Sequence, residues 1–383
     1  MKNITSIILV CLLFSSCQKI NRWKAQWGDV DAQVELGIAY ENGEDVEQDF
    51  VEAVKYYRMA ADQGNAEALY RLALCYSLGK GVDEDHETAF ELFQKSSEKD
   101  YTPALYEVGM AYQEGIGVDR NMEKSIAYLQ KATDANYPQA MFQVALLYYH
   151  GEYVRQDFAK AVALFEKSSK SDQAEATYYL AVCYANGQGT NKNQNKALNL
   201  FTEAADAGVA VAQNEVGEWL ENGIACNVDL VRAVRYYQLA AKQGYVDAEY
   251  NLGICYYYGN GIAKDDKKAV TYFMKAAEAG IPAAEYYLGM CYFQGEGIRR
   301  DEKMGLQWLH QAETDGDMDA HHFLQEMKIY RQRMEEFDKN GYYVEVIEEI
   351  VSEEDESMEE GVEETTVEEI QNDIIEENTK QTP

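Results

Sequence analysis

A 36-residue interval organises this chain more strongly than any other feature of its sequence. Shifted by that interval, the sequence aligns nine alanines without an insertion or deletion: Ala32, Ala68, Ala104, Ala140, Ala176, Ala212, Ala248, Ala284 and Ala320. A glycine follows each of the first eight alanines after eleven residues: Gly43, Gly79, Gly115, Gly151, Gly187, Gly223, Gly259 and Gly295. A repeat of this length is one supersecondary unit that buries its apolar face only against its neighbours. The pattern therefore predicts a linear array of repeats.

Each repeat begins with a segment whose apolar residues have helical spacing. After Ala248, the residues Leu252, Gly253 and Tyr256 fall on one face of a helix. The small residue at the position of Gly253 allows a partner helix to approach closely. The glycine that closes the segment adopts a left-handed backbone more readily than other residues, so we expect it to end the helix.

A second helix follows in each repeat, and both of its ends are marked. It opens at a residue with a short side-chain acceptor that can cap free backbone N–H groups: Asp49, Asp85, Asn121, Asp157, Asn193, Asp229, Asp265 and Asp301. It ends at one of the three residue types that best tolerate a left-handed backbone: Gly64, Asp100, Asn136, Asp172, Gly208, Gly244, Gly280 and Gly316. Stacked helix pairs of this kind predict an all-α fold, a right-handed α-solenoid (superhelix) of eight 36-residue helix-turn-helix repeats over residues 29–317.

The pattern of one unit resembles the Sel1-like repeat family, a relative of the tetratricopeptide repeat. In the seventh repeat the residues that carry it are Ala248, Leu252, Gly253, Tyr256, Gly259, Gly261, Asp265, Tyr272, Phe273, Ala276, Ala277 and Gly280. Departures are local, because Leu220 replaces the tyrosine of the sixth repeat and Tyr153 and Ala225 replace the second loop glycine. The resemblance implies a non-enzymatic adaptor that binds protein or peptide partners. By analogy with tetratricopeptide arrays, the first helices would line a concave surface.

The segments outside the repeats predict an amino-terminal tether, a capping helix and an acidic tail. Residues 318–340 restart the repeat without a closing glycine, which favours a capping helix that shields the last apolar face. Residues 341–383 hold 16 Asp and Glu against the single Lys380, so we expect a disordered acidic tail. Residues 17–28 include Arg22, Trp23 and Trp27, which either tether the array or shield its first face.

The chain begins with a signal-peptide pattern over residues 1–16. Lys2 precedes an apolar run from Ile4 to Phe14, too short to span a bilayer, and small residues then lead to Cys17. These last residues resemble a bacterial lipobox, which implies a lipidated Cys17; a plain secretory signal is the alternative. Because Gln18 and Lys19 are not an acidic export signal, we expect a lipid-anchored envelope protein on the periplasmic side of the outer membrane.

The net charge of −33 limits the possible partners. An acidic surface repels phosphate backbones and anionic headgroups, so neither a nucleic-acid partner nor a purely electrostatic membrane contact is expected. Membrane attachment therefore needs the lipid at Cys17. We expect a monomer that binds proteins or peptides.

Catalytic and metal-binding patterns are absent from the sequence. No two of the five histidines have the spacing of a helical metal pair, and the glycine pairs recur as turns. Four cysteines share one repeat slot, which favours small buried side chains: Cys75, Cys183, Cys255 and Cys291. We therefore expect no metal, no cofactor and no enzyme. A hydrolase is the less favoured alternative, with Glu215, Glu218 and Glu221 as the one place to look.

Aromatic residues on the first helices form the candidate partner-binding site: Tyr70, Tyr106, Phe142, Tyr149, Tyr178, Tyr250, Tyr257, Tyr258, Tyr286 and Phe293. Aromatic rings combine large contact area with a polar tip and are frequent at binding hot spots. Glu107 and the three glutamates of the sixth repeat would favour a ligand with basic groups. Two alternatives stay open: the rings pack between repeats, or they bind glycan or peptidoglycan.

Overall fold

The computed structural model describes residues 22–171 and 173–340. The predictions for the signal peptide, Cys17, Asp172 and the acidic tail fall outside these residues. The described residues form helices and turns without a β-strand. None of their helices combines the length and apolar character needed to span a bilayer.

After a helical turn at residues 22–26, α-helices alternate with short loops. The first helices of the repeats are α1 (Val30–Asn42), α3 (Ala66–Leu78), α5 (Thr102–Glu114), α7 (Pro138–His150), α9 (Ala174–Asn186), α11 (Ala210–Asn222), α13 (Val246–Tyr258) and α15 (Pro282–Gln294). The second helices are α2 (Phe50–Asp62), α4 (His86–Ser97), α6 (Met122–Asp134), α8 (Phe158–Ser168), α10 (Gln194–Asp206), α12 (Leu230–Lys242), α14 (Asp266–Glu278) and α16 (Glu302–Thr314). A last helix, α17 (Met318–Asn340), follows them. The prediction of an all-α fold with eight helix pairs is confirmed.

The chain forms two compact units, one up to Ala276 and one from Ala277 onward. In the first unit each helix from α1 to α12 packs against the next one along the chain. In the second unit α16 packs against both α15 and α17. There Ala320 and Leu324 of α17 cover Leu309 and Ala312 of α16, which matches the capping role expected for this helix.

Local sequence signals set the helix ends. Each of the eight predicted N-cap residues accepts a hydrogen bond from a backbone N–H in the first turn of its second helix. All eight glycines that close the first helices have a left-handed backbone, as do the seven described residues predicted to end the second helices. Both sets of predictions are confirmed for the described residues.

The two helices of a repeat meet where a small residue of the odd-numbered helix faces a large side chain of the even-numbered one. A Cβ atom at Gly217 would overlap the Tyr237 ring, and one at Gly253 would overlap Phe273. Close approach also lets the Tyr237 hydroxyl donate to Glu221 across 2.7 Å. The expectation that the small residue admits the partner helix is therefore confirmed.

At four loops, successive repeats meet closely at the second loop glycine. A Cβ atom at Gly81, Gly117, Gly189 or Gly261 would overlap the carbonyl oxygen of the first residue in the preceding even-numbered helix. The left-handed backbone alone does not require glycine in this slot, because Tyr153 and Ala225 also adopt it. Glycine is needed at the four positions because the backbone of the neighbouring repeat is so close.

We predict that Gly189→Ala destabilises the protein more than Gly244→Ala. Both glycines have a positive φ, so each substitution costs about 1 kcal/mol from backbone conformation. Only at Gly189 does the new Cβ atom meet the carbonyl of Phe158, whereas nothing lies near that of Gly244. Overpacking should add about 1 to 3 kcal/mol at Gly189. Urea unfolding of both variants measures the difference, and equal losses would contradict a close junction between repeats.

Candidate functional site

The predicted aromatic residues lie on odd-numbered helices and are half-buried, except for Tyr258, which is 56% exposed. Most rings in the first unit pack on an aromatic side chain of the even-numbered helix in the same repeat. Tyr70 lies 5.7 Å from Phe93, Tyr178 lies 5.7 Å from Phe201, and Tyr250 lies 6.4 Å from Phe273, measured between ring centroids. The rings thus contribute to packing and still keep part of their surface open to solvent.

The fourth and fifth repeats hold the densest group of rings. Phe142 and Tyr149 of α7 lie 5.8 and 5.7 Å from Tyr179 of α9, and Tyr179 stacks on Phe165 at 5.5 Å. The Tyr149 hydroxyl also donates to the Gln188 side chain at 3.0 Å. Odd-numbered helices of successive repeats therefore contact one another through these rings, so the group forms a shared surface.

The remaining predicted rings have local partners. Tyr257 packs on Tyr258 at 4.9 Å and on Phe273 at 6.1 Å. In the second unit, Tyr286 packs on Tyr287 at 5.3 Å, and Phe293 meets Phe323 of α17 edge to face at 5.4 Å. Their assignment to partner binding stays a prediction.

Three further tyrosines join this face and were not predicted from the sequence: Tyr101, Tyr137 and Tyr245. Tyr101 lies 5.3 Å from Tyr70, and Tyr137 lies 5.5 Å from Tyr106. Each stands one residue before an odd-numbered helix, as its N-cap residue without a capping side-chain bond. The 36-residue spacing of these tyrosines could have predicted them. They lie in the loops between helices, however, where the helical pattern gives no signal.

The acidic residues of this face divide into two kinds. Glu221 accepts from Tyr237, and Glu218 accepts from the side chain of Asn214 at 2.7 Å, so both stabilise the packing of their repeat. Glu107 and Glu215 are half-buried, and burial raises the pKa of each. A second carboxylate, Glu114 beside Glu107 and Glu218 beside Glu215, raises the pKa further.

A second row of tyrosines, Tyr112, Tyr148, Tyr184 and Tyr256, is paired with lysines of the following even-numbered helix. Lys124, Lys160, Lys196 and Lys268 place their ammonium groups 3.9 to 5.0 Å from these ring centres. Cation–π contacts of this kind are worth about 0.5–1 kcal/mol at exposed sites. These contacts stabilise the loops, and lysines of the chain itself already lie over the rings of this row.

Two open depressions lie at the same place in different repeats, beside the loop that joins the two helices. One of about 530 Å³ is lined by Tyr148, Val154, Arg155, Gln156, Asp157 and Lys160. The other, of about 520 Å³, is lined by Tyr76, Val82, Asp83, Glu84 and Asp85. Neither contains a residue of the predicted aromatic site. Their recurrence follows from the repeat.

The sequence matches the Sel1 repeat eight times, at residues 30–65, 66–101, 102–137, 138–172, 174–209, 210–245, 246–281 and 282–317. The chain belongs to the Sel1 repeat family. Sel1 repeat proteins are generally scaffolds for protein interactions, and the family is typically non-enzymatic.

The solved structures that resemble this Sel1 repeat protein include two bacterial proteins. The protective antigen c5321, present in uropathogenic Escherichia coli strains, is 29% identical over 76% of this chain and 70% of its own, with a TM-score of 0.58. A Sel1 repeat protein from Oxalobacter formigenes is 27% identical over 81% of this chain and 89% of its own, also with a TM-score of 0.58. No curated protein matched the sequence.

The four cysteines that share a slot in this Sel1 array are all buried. Burial raises the pKa of the Cys75 thiol to about 11 and those of Cys183 and Cys255 to about 12. Thiols held protonated in this way are poor nucleophiles, so the prediction of small buried side chains is confirmed. In the described part of the chain, no three His, Cys, Asp or Glu side chains gather as a metal site requires.

Among the described carboxyl groups, the one with the largest shift in pKa lies in the second unit. Glu285 is 3% exposed, and burial, followed by the nearby Asp315 and Asp317, raises its pKa to about 7. In the first unit, Glu249 occupies the same slot and has Lys275 at 3.2 Å, whereas Gln311 stands at the position equivalent to Lys275 one repeat later. Glu285 therefore faces a carboxyl instead of an ammonium group.

We predict that the Glu285 carboxyl lowers stability as the pH rises from about 4.5 to 7. Its pKa is higher in the folded state, so the folded chain binds more protons in this range and the free energy of unfolding falls with pH. Glu285→Gln should flatten this slope and unfold at a higher temperature than the parent protein at pH 8.

Thermal unfolding from pH 5 to pH 8 checks the prediction, with Glu326→Gln as the control because Glu326 is exposed on α17. Parallel curves for Glu285→Gln and the parent protein would refute it.

Proposed function

We propose that this Sel1 repeat protein is a non-enzymatic scaffold, anchored by lipid in the bacterial envelope, that binds protein or peptide partners on a concave surface of its odd-numbered helices. The observation that carries the proposal is the row of half-buried aromatic rings shared between successive odd-numbered helices. Their backs are fixed by the even-numbered helices, so little side-chain entropy is lost when a partner covers their open edges.

The chemistry of the array supports binding over catalysis. Of the three glutamates that a hydrolase would use, Glu218 and Glu221 already accept hydrogen bonds from neighbouring side chains, and the third, Glu215, is half-buried. Four of the five described cysteines are buried, and burial raises the pKa of the Cys75, Cys183 and Cys255 thiols, which makes them poor nucleophiles. The large, half-buried aromatic surface suits recognition of a partner.

The proposed membrane attachment rests on the amino-terminal sequence. The apolar run to Phe14, followed by small residues and Cys17, suits a lipoprotein signal. Diacylation with an added amide-linked chain supplies enough acyl tails for stable anchoring. A location on the periplasmic side of the outer membrane would place the repeats beside other envelope proteins.

Replacing the rings should remove partner binding. We expect the triple variant Tyr106→Ala, Phe142→Ala and Tyr178→Ala to lose at least about tenfold in partner recovery, because losing one ring contact of 1.4 kcal/mol already gives that factor. The measurement is affinity capture from detergent-solubilised envelopes, with quantified prey. The control triple is Tyr76→Ala, Tyr148→Ala and Tyr184→Ala. Tyr148 and Tyr184 belong to the second row, Tyr76 stands at the same repeat position, and all three rings are equally half-buried. If the first triple variant recovers as much prey as the parent protein, and the two melt at comparable temperatures, this surface is not the binding site.

Lipidation should depend on one cysteine. Cells grown with an alkyne-labelled fatty acid should label the parent protein and Cys11→Ser, but not Cys17→Ser, because Cys17 follows the small residues that the peptidase requires. Gel fluorescence after coupling a dye to the alkyne reads the label. Undiminished labelling of Cys17→Ser would disprove the anchor.

A further inference from the structure

Two exposed tryptophans lie side by side at the amino-terminal end of the first unit. Trp23 is 60% exposed and Trp27 is 76% exposed, and their ring centroids are 5.8 Å apart. The two residues are one helical turn apart, and the backbone N–H of Trp27 donates to the Trp23 carbonyl at 3.1 Å. Large apolar side chains on a protein surface usually stand singly. The two rings together form an apolar face, here called the tryptophan pair.

A different residue of the same turn shields the first apolar face of the array. Ala25 is fully buried and packs with Leu36 and Tyr56. Its carbonyl accepts a hydrogen bond from the buried Gln33 side chain at 2.9 Å. The sequence left two roles open for residues 17–28, tethering and shielding. Because Ala25 does the shielding, the tryptophan pair is available for another contact.

The segment that carries the tryptophan pair is basic, although the whole chain has a net charge of −33. Residues 17–28 contain Lys19, Arg22 and Lys24 and neither Asp nor Glu. The first acidic residue of the chain, Asp29, caps the amino-terminal end of α1. At physiological salt, charges more than about 8 Å apart are largely screened, so most of the acidic repeats do not offset this local charge. The segment therefore attracts anionic groups.

The proposed lipid at Cys17 would hold the tryptophan pair close to a bilayer. Six residue steps separate Cys17 from Trp23, and an extended chain covers about 3.6 Å per step, so the two residues lie within roughly 22 Å of each other. The acyl chains of Cys17 would enter the hydrocarbon core, and the headgroup region above it is only about 5 to 7 Å deep. The pair can therefore reach the headgroup region while the repeats stay outside the bilayer.

We propose that the tryptophan pair inserts into the headgroup region of the phospholipid bilayer that holds the lipid of Cys17, with Arg22 and Lys24 bound to anionic headgroups. The inference deepens the proposed function and rests on its lipid anchor. Tryptophan combines a large apolar ring with an N–H donor and is enriched at this depth of membranes. Basic side chains beside it place their charges among the lipid phosphates.

This second contact would orient the array, which a lipid at one point of the chain does not do. Ala25 ties the turn to α1 and α2, because Leu36 lies on α1 and Tyr56 lies on α2. Insertion of the tryptophan pair would therefore hold the first repeat at the membrane surface.

The size of the tryptophan pair favours a bilayer over a second copy of the chain. A stable protein interface buries about 800 Å² on each partner, whereas two aromatic side chains bury only about 300 to 500 Å² together. A bilayer needs no complementary surface, so a small apolar face with basic neighbours is sufficient.

The test measures tryptophan fluorescence of the full lipidated chain on vesicles of phosphatidylcholine and phosphatidylglycerol. One set of vesicles carries bromine on its acyl chains, which quenches tryptophan emission at short range. Emission of the parent protein should fall by up to about half on the brominated vesicles, because the pair supplies two of the four tryptophans. Trp23→Ser with Trp27→Ser should lose this fall, although the lipid keeps the variant on the vesicles. The control Trp308→Phe removes a half-buried tryptophan of α16 and should keep it.

A second arm tests the basic residues through the phosphatidylglycerol content of the vesicles. Quenching of the parent protein should deepen as this content rises. Arg22→Gln with Lys24→Gln should lose that dependence. The control, Lys99→Gln with Lys167→Gln, changes the net charge equally at exposed positions of the repeats and should keep it.

Three results would overturn the membrane contact. The first is equal emission of the parent protein on brominated and unbrominated vesicles, and the second is equal quenching of the parent protein and the serine variant. The third is a parent protein that is a dimer without vesicles and becomes a monomer on Trp23→Ser with Trp27→Ser, since the pair would then cover a second copy. Equal loss of the lipid dependence in both glutamine pairs would remove Arg22 and Lys24 from the contact.

The outcome is separable from that of the lipid anchor. If the parent protein takes up the labelled fatty acid and its tryptophans are not quenched, the anchor stands and the tryptophan contact falls. If it takes up no label and its tryptophans are quenched, the anchor falls and the contact stands by itself. If neither signal appears, both proposals fail, and capture of partners by the repeats is still tested by the Tyr106, Phe142 and Tyr178 triple.

Discussion

The structure depends on one recurring contact, in which a small residue of an odd-numbered helix receives a large side chain of its even-numbered partner. Gly217 against Tyr237 and Gly253 against Phe273 illustrate it. Burying one such side chain contributes about 1.5–3 kcal/mol, and repeating the contact along the chain supplies a core that no single helix pair could build. Because this contact fixes the backs of the aromatic rings, it also determines which ring edges stay open.

Much of the fold could be predicted because its signals are local. The N-cap residues and closing glycines act within one helical turn, so Asp229 and Gly223 could be assigned from sequence without knowing any tertiary contact. The tyrosines before the odd-numbered helices were missed for a physical reason. Tyr137 precedes its helix and contributes no helical period, and only folding brings its ring beside Tyr106.

The carboxylates show the same limit more sharply. Glu107, Glu215, Glu218 and Glu221 look equivalent in the sequence, but Glu218 and Glu221 accept hydrogen bonds within their repeats, whereas burial and a neighbouring carboxylate raise the pKa of Glu107 and Glu215. Likewise, the environment of Glu285 depends on Asp315, thirty residues later. Glu285 lies near the start of the first helix of its repeat, and Asp315 follows the end of the second helix. The repeat period predicts that two such positions are close, but it does not predict which side chains meet there.

The most direct test of the account is site-specific photo-cross-linking in cells. A photoreactive amino acid would replace Gln143 on the odd-numbered helix α7 or, as the comparison, the exposed Lys131 on the even-numbered helix α6. If the odd-numbered helices bind partners, position 143 should form cross-linked adducts with envelope proteins and position 131 should not. Adducts from position 131 alone would place the binding surface on the opposite face and contradict the account.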